Sequence, residues 1–337
     1  MGGAAARVRN RQGKANGEEA DEEVRWQQFL GTGRLGILAL SFKTPASLAS
    51  SMASWHASGL LALAAEKVAL LNEPLPAEKA LARYFGFRVV EPRELSGIAP
   101  ERRSGPNRLT IGAAFWHGLG LLKADFVLFL EKDFAVDASL AVSALQDEVL
   151  SAAWLLDQGA SLVRLRSRRD MGCSGFRTCK GQANRPEWGG QTTRARRRNW
   201  LSFYCDAPSD TGKVPSGLVA NCVGPSRQAA QLAARSAAIA DERTAASEPP
   251  RFKCFTSWDS NWSLNAVMVH RRAALEQVLQ TKQGQNWTHG TLALYGESKF
   301  NDQAGFERGM LEDDWGKLQV PLCLSMRGVF RHHEVDN

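Results

Sequence analysis

This 337-residue chain lacks several features that would fix its class directly. No apolar run approaches the ~20 residues that a membrane helix needs, and the N-terminal stretch has no apolar core of the kind a secretory signal carries. Met1-Gly2-Gly3 opens like a myristoylation signal, but Ala6 stands where Ser or Thr is required, which excludes it. None of the six cysteines forms C-x-x-C, which argues against a zinc site. There is no P-loop. No Gly-x-Gly-x-x-Gly follows the first apolar run, Leu35 to Ser41, so a dinucleotide-binding site of the Rossmann type is disfavoured as well.

What is present is ample for a sizeable core, since 44% of the residues are hydrophobic. The net charge of +7 favours an anionic partner: a phosphate-bearing small molecule, a nucleic acid or a membrane surface. Five cysteines, Cys173, Cys179, Cys205, Cys222 and Cys254, cluster in a loop-rich stretch, which suits disulfides. Asn261-Trp-Ser263 and Asn286-Trp-Thr288 fit the N-glycosylation pattern. Together they point to the Golgi or another secretory lumen, with the signal or anchor lying outside this chain. The alternative location is the cytoplasm.

Residues 1–33 have little hydrophobic periodicity and read as a disordered or loosely helical lead-in. From there strands and helices alternate. Strands are expected at 35–41, 67–71, 87–90, 126–131 and 161–165, with helices at 47–60, 77–85, 109–122 and 138–156. Short strands alternating with longer helices indicate βαβ units and a parallel sheet. Residues 91–108 read as a polar segment. Residues 167–260 form a long irregular insertion, rich in Arg, Gly, Ser and Cys, with one Ala-rich helix at 228–242. Stretches this long without regular structure are uncommon unless functional. A strand at 261–270, helices at 272–280 and 302–315 and a last strand at 318–324 complete a single domain, 34–334.

The chain is organised around Ala124-Asp-Phe-Val-Leu-Phe-Leu-Glu-Lys-Asp-Phe134, a buried strand that closes on Glu131 and Asp133. Side chains alternate along a strand, so the two acids are expected to face the same way. In an open α/β sheet, ligands bind at the carboxyl ends of the strands. Two hard oxygen donors there suit Mg²⁺ or Mn²⁺, which can in turn hold a diphosphate.

Four stretches then converge on one family. Leu40-Ser-Phe-Lys-Thr-Pro-Ala-Ser-Leu48 resembles the opening of family-2-like glycosyltransferases of the GT-A fold, and Leu71-Asn-Glu73 looks like the end of their second strand. Leu128-Phe-Leu-Glu-Lys-Asp133 is similar to their acidic D-x-D metal motif, with Glu in the first position. Gly328-Val-Phe-Arg-His-His333 resembles the element that brings a late histidine to the metal. The resemblance implies an α/β, Rossmann-like domain with a mostly parallel central sheet flanked by helices. It also implies a metal-dependent, inverting transfer of a sugar from a nucleotide-diphosphate sugar to a hydroxyl of a glycan, protein or lipid.

On that resemblance, Mn²⁺ or Mg²⁺ is held by Asp133, by Glu131 directly or through water, and by His332, with His333 as substitute. Ser41, Phe42, Lys43 and Glu73 line the nucleotide subsite. The general base is Glu307, 332 − 307 = 25 residues before His332, or else Asp313. Trp258, Trp262, Trp287 and Trp315 are candidates to stack on an acceptor sugar. Arg194, Arg196, Arg197 and Arg198 are candidates to meet an anionic acceptor or cover the diphosphate. Two further readings stay open: a nucleotidyltransferase on a related sheet and a basic nucleic-acid-binding module. The first lacks the Gly-rich basic loop it would need, and the second leaves the acidic strand end unexplained, so no nucleic-acid partner is expected.

Overall fold

The structure, a computed structural model, describes residues 33–95, 103–105, 108–109, 111–166, 252–256, 266–280, 320–325 and 327–332. The first half alternates β1 (Leu35–Phe42), α1 (Pro45–Ala57), α2 (Leu60–Leu63), β2 (Glu66–Asn72), α3 (Pro76–Tyr84) and β3 (Arg88–Val90). A hairpin, β4 (Arg103–Gly105) and β5 (Arg108–Leu109), precedes α4 (Ile111–Leu121), β6 (Phe126–Glu131), β7 (Phe134–Val136), α5 (Val142–Asp157) and β8 (Leu162–Arg164). The last elements are β9 (Phe252–Thr256), β10 (Val267–His270), α6 (Arg271–Gln280), β11 (Pro321–Ser325) and β12 (Phe330–His332).

An eight-stranded sheet in the order β3-β2-β1-β6-β10-β8-β11-β9 forms the centre. β9 and β10 run against the other strands, which are mutually parallel. The fold class is therefore α/β with a mostly parallel sheet, and helices cover both faces. Burial on both faces is why β1 and β6 read as unbroken apolar runs. Period-two alternation still sorts their side chains into two layers. Phe126, Leu128 and Leu130 join Trp55 of α1 and Val149 of α5 in one core, while Val127 and Phe129 join Phe115 of α4 and Ala274 of α6 in the other. Helix α4 lies very close to β1: a Cβ on Gly118 would fall 2.4 Å from Leu38 Cδ2.

The strand order reverses at β1, with β2 and β3 to one side and β6 to the other. That is the topological switch point of an open sheet, where the strand ends splay to leave a crevice. The carboxyl ends of β1 and β6 form its walls.

Four local expectations change. β6 stops at Glu131, and Lys132-Asp133 is a turn leading into β7, so strand alternation does not set the direction of Asp133. Part of the segment expected to be plain polar chain, 91–108, forms the β4–β5 hairpin. β9 lies inside the stretch expected to be irregular, 167–260, and forms an edge of the main sheet. Residues 328–333, read as the element that carries a late histidine and given no strand, include β12, which pairs antiparallel with β7. Cys254 and Cys323 sit opposite each other on β9 and β11, fully buried, and form a disulfide. The other four cysteines lie outside the described residues.

Candidate active site

The acidic turn at the crevice is held from below by one face of α1. Ser51, Ser54 and Trp55 share that face through their i, i+3, i+4 spacing. The Ser51 hydroxyl donates to the Lys132 carbonyl at 2.6 Å, the Trp55 indole N–H to the Phe134 carbonyl at 2.7 Å, and the Val136 amide donates to Ser54 Oγ at 3.0 Å. From the other side the Lys132 amide donates to the Leu40 carbonyl at 2.9 Å, continuing the β1–β6 ladder by one residue. The amide and carbonyl of Lys132 and the carbonyl of Phe134 are thereby paired with fixed partners.

The turn presents Asp133 to the tail. Pairing of β7 with β12 sets Phe134 opposite His332, and His332 Nε2 lies 3.1 Å from Asp133 Oδ2, across 199 residues of sequence. The His332 ring packs T-shaped on Phe134, with centroids 5.4 Å apart. Lys132 Nζ stands 3.5 Å from the same carboxylate oxygen. Burial pushes the Asp133 carboxyl up, but the hydrogen bond from His332 and the charges of Lys132 and His332 outweigh it and hold the group below the usual carboxylate range. Asp133 is thus ionised at neutral pH.

The tail reaches this position through a turn pinned at several points. Ser325 Oγ hydrogen-bonds to the buried Glu148 carboxylate and accepts the Gly328 amide at 2.7 Å. Gly328 has φ +66°, a conformation that glycine adopts without strain. The Val329 amide donates to the Leu165 carbonyl at 2.7 Å, and Arg331 pairs with Asp137 at 2.5 Å.

The pair fits a divalent cation. Asp133 Oδ1 is buried and has no hydrogen-bond partner among the described residues, leaving a lone pair for a ligand beside an imidazole. A mixed oxygen and nitrogen donor set suits Mn²⁺ better than Mg²⁺, which prefers oxygen alone. Among the described residues no three His, Cys, Asp or Glu side chains are grouped to hold a metal. Glu131, half-buried at the end of β6 opposite Leu40, therefore does not complete a three-ligand set with Asp133 and His332. Among the described residues a cation there would have only these two protein ligands, with water or phosphate oxygens able to complete the set.

The nucleotide candidates flank the same crevice. The Ser41 hydroxyl is committed to Glu78, donating to Oε1 at 2.6 Å. Glu78 is fully buried and also accepts the Thr44 and Leu75 amides at 3.2 and 2.9 Å, so it braces the β1–α1 loop against the start of α3. Lys43 and Glu73 follow the adjacent ends of β1 and β2, where Phe42 and Asn72 are in register. Lys43 Nζ is 2.5 Å from Glu73 Oε2 and 5.5 Å from the centroid of Phe42. Both residues have positive φ, +48° and +44°. Non-glycine residues held so cost about 1–3 kcal/mol each and cluster at ligand clamps.

Glu307, Asp313 and His333 lie outside the described residues, as do the four tryptophans and four arginines proposed for the acceptor. Sequence reading missed Glu78, Ser51, Trp55 and Phe134. Of these, Glu78 had a local signal, an acid two residues after Pro76 where a helix starts. The others act only through tertiary contacts.

Compared by sequence, the chain matches no family model and no curated protein. Compared by structure, it is similar to glucosyl-3-phosphoglycerate synthase from Mycobacterium tuberculosis. The complex with phosphoglyceric acid is 20% identical with a TM-score of 0.30, over 41% of this chain and 45% of that one. The complex with Mn²⁺ and uridine-diphosphate-glucose is 20% identical with a TM-score of 0.31, over 42% and 45%. The complex with Mg²⁺ and uridine-diphosphate gives 20%, 0.31, 42% and 46% in the same order. The matched region covers less than half the length of those chains.

Proposed function

We propose that this chain is a metal-dependent glycosyltransferase of the GT-A type, moving a sugar from a nucleotide-diphosphate sugar to an acceptor hydroxyl with inversion. The observation that carries it is the meeting of Asp133 and His332 at the carboxyl edge of the switch point. The acidic turn, the end of β1 and the tail come together there. A bound Mn²⁺ or Mg²⁺ supplies Lewis-acid neutralisation of the departing diphosphate. Asp133 and His332 would hold it, and Glu131 would act through water or set the local negative potential. Lys43 is a point charge for a phosphate oxygen, Phe42 and Glu73 border the nucleotide, and Ser41 shapes their loop through Glu78. Glu307 is the base that takes the acceptor proton, with Asp313 the alternative.

The buried Cys254–Cys323 disulfide supports an oxidising compartment such as the secretory lumen. Among the described residues no helix is long and apolar enough to cross a membrane.

The test is a screen of UDP- and GDP-sugars with Mn²⁺, reading nucleoside diphosphate release by wild type and Asp133→Ala. Loss of release in the variant supports the assignment. Undiminished release overturns the metal site, and pyrophosphate as product would indicate nucleotidyl transfer instead.

A further inference from the structure

We infer that Arg166 is a positioning residue that sets the His332 imidazole against Asp133 by fixing the ring of Phe134; its link to sugar transfer rests on the reading above. Arg166 follows β8 and is only 3% exposed, an unusual place for a guanidinium. Its Cζ lies over the Phe134 ring, 5.2 Å from the centroid. The same ring, itself buried, carries the T-shaped contact with His332. One aromatic plane is thus contacted by a cation from the sheet and by the imidazole from the tail. Stacking of a planar guanidinium on an aromatic face is directional, and it strengthens when the pair is shielded from water.

The backbone repeats the same link. Arg166 forms an isolated bridge with Phe330, two residues before His332. The carbonyl of Leu165 accepts the amides of both Val329 and Phe330, at 2.7 and 3.1 Å. The extension of β8 therefore fixes the start of β12 through the main chain, and Arg166 fixes the far end through the Phe134 ring. β12 is three residues long, and among the described residues its sheet partner is the three-residue β7. So short a ribbon is marginal by itself, and the direction of His332 depends on this outside support. Outer partners that orient a ligating imidazole are worth ~10–100-fold in metal affinity.

The experiment uses the full chain with Arg166→Met, which keeps the stem and removes the planar cation, and Arg166→Lys, which keeps only the charge. In metal-free protein, nuclear Overhauser contacts between the His332 and Phe134 rings are expected in wild type. They should be lost in Arg166→Met and only partly kept in Arg166→Lys. The Mn²⁺ dissociation constant is expected to rise about tenfold in Arg166→Met, and not at all when the same change is made in a His332→Ala background. Ring contacts that persist in Arg166→Met, or equal losses of affinity in both backgrounds, overturn the inference. Should Arg166→Met fail to fold, Phe134→Leu removes the ring while keeping apolar bulk. Undiminished Mn²⁺ affinity there overturns the inference too. A wild type that binds no Mn²⁺ at all sinks the sugar-transfer reading, while the metal-free ring contacts still decide the role of Arg166.

Discussion

At the scale of single residues, the proposed site depends on groups whose partners are fixed before any ligand arrives. Trp55 is fully buried, and the one polar atom of its side chain donates to the carbonyl of Phe134. Trp55→Phe keeps most of the packing and leaves that carbonyl without its donor, so a loss of about 1–3 kcal/mol is expected in chemical denaturation. Lys43 is half-exposed and paired with Glu73. If it exchanges this carboxylate for a donor phosphate, Lys43→Met should weaken nucleotide-diphosphate binding by roughly tenfold or more, since hydrogen bonds to charged groups are worth about 1.5–3 kcal/mol. Glu73→Gln should weaken it less, because it removes the competing carboxylate along with any contact Glu73 makes to the nucleotide. Calorimetric titration with UDP and Mn²⁺ compares the two. An unaltered Lys43→Met would move the phosphate contact to another cation. Asp133 was legible in the sequence because an apolar run that stops on acids announces a strand end by itself. The brace on Ser41 was not, because Glu78 lies 37 residues away and meets Ser41 only once β1 and α3 have packed.

At the scale of elements, the long apolar strands and their helices could be read because each carries its own periodicity over many residues. β7 and β12 could not, since three residues show no period and each strand exists only as the other's partner. Their joint stability has a pH signature. Burial pushes the Asp137 carboxyl up, but hydrogen bonds from the Ser139 amide and hydroxyl and the pairing with Arg331 outweigh it, so the group is held below the usual carboxylate range. A carboxyl depressed in the folded state adds stability above its unfolded pKa, and that stability is lost as pH falls through the folded value. Asp137→Asn should therefore lower Tm at neutral pH and flatten the acid limb of the Tm profile, with the two proteins converging toward the acid end. Parallel profiles would show that the Asp137–Arg331 pair contributes nothing across the ribbon. The close approach of α4 to β1 gives a second test. A methyl on Gly118 would meet three carbons of Leu38, which is fully buried and has nowhere to swing. Gly118→Ala should cost about 1–3 kcal/mol through overpacking, seen as a lower denaturant midpoint.

At the scale of the whole molecule, the sheet separates the proposed chemistry from its covalent staple. β1 and β6 wall the crevice, while the Cys254–Cys323 disulfide joins β9 to β11 at the far edge, with β10 and β8 between. The staple closes a loop of 69 residues, for which chain entropy gives about 4 kcal/mol of stabilisation. That loop runs from residue 254 to residue 323, so the staple ties β9, the first described strand after the long segment, to β11 without touching the acidic turn. Sequence alone could not pair these cysteines, because Cys254 looked like the last member of the upstream cluster and Cys323 stood by itself. Only the register of two distant strands brings them together. Reduction under mild conditions should therefore lower Tm by several degrees or more, as should Cys254→Ala with Cys323→Ala. Mn²⁺ affinity at a temperature well below melting should stay unchanged, because the strands that carry Asp133 and its clamp keep their own pairings. Free thiols at Cys254 and Cys323, detected by alkylating the unfolded but unreduced protein, would mean that the pair is not oxidised, and the support for a secretory compartment would go with it. A fall in Mn²⁺ affinity in step with Tm would instead show that the two edges of the sheet are energetically one unit.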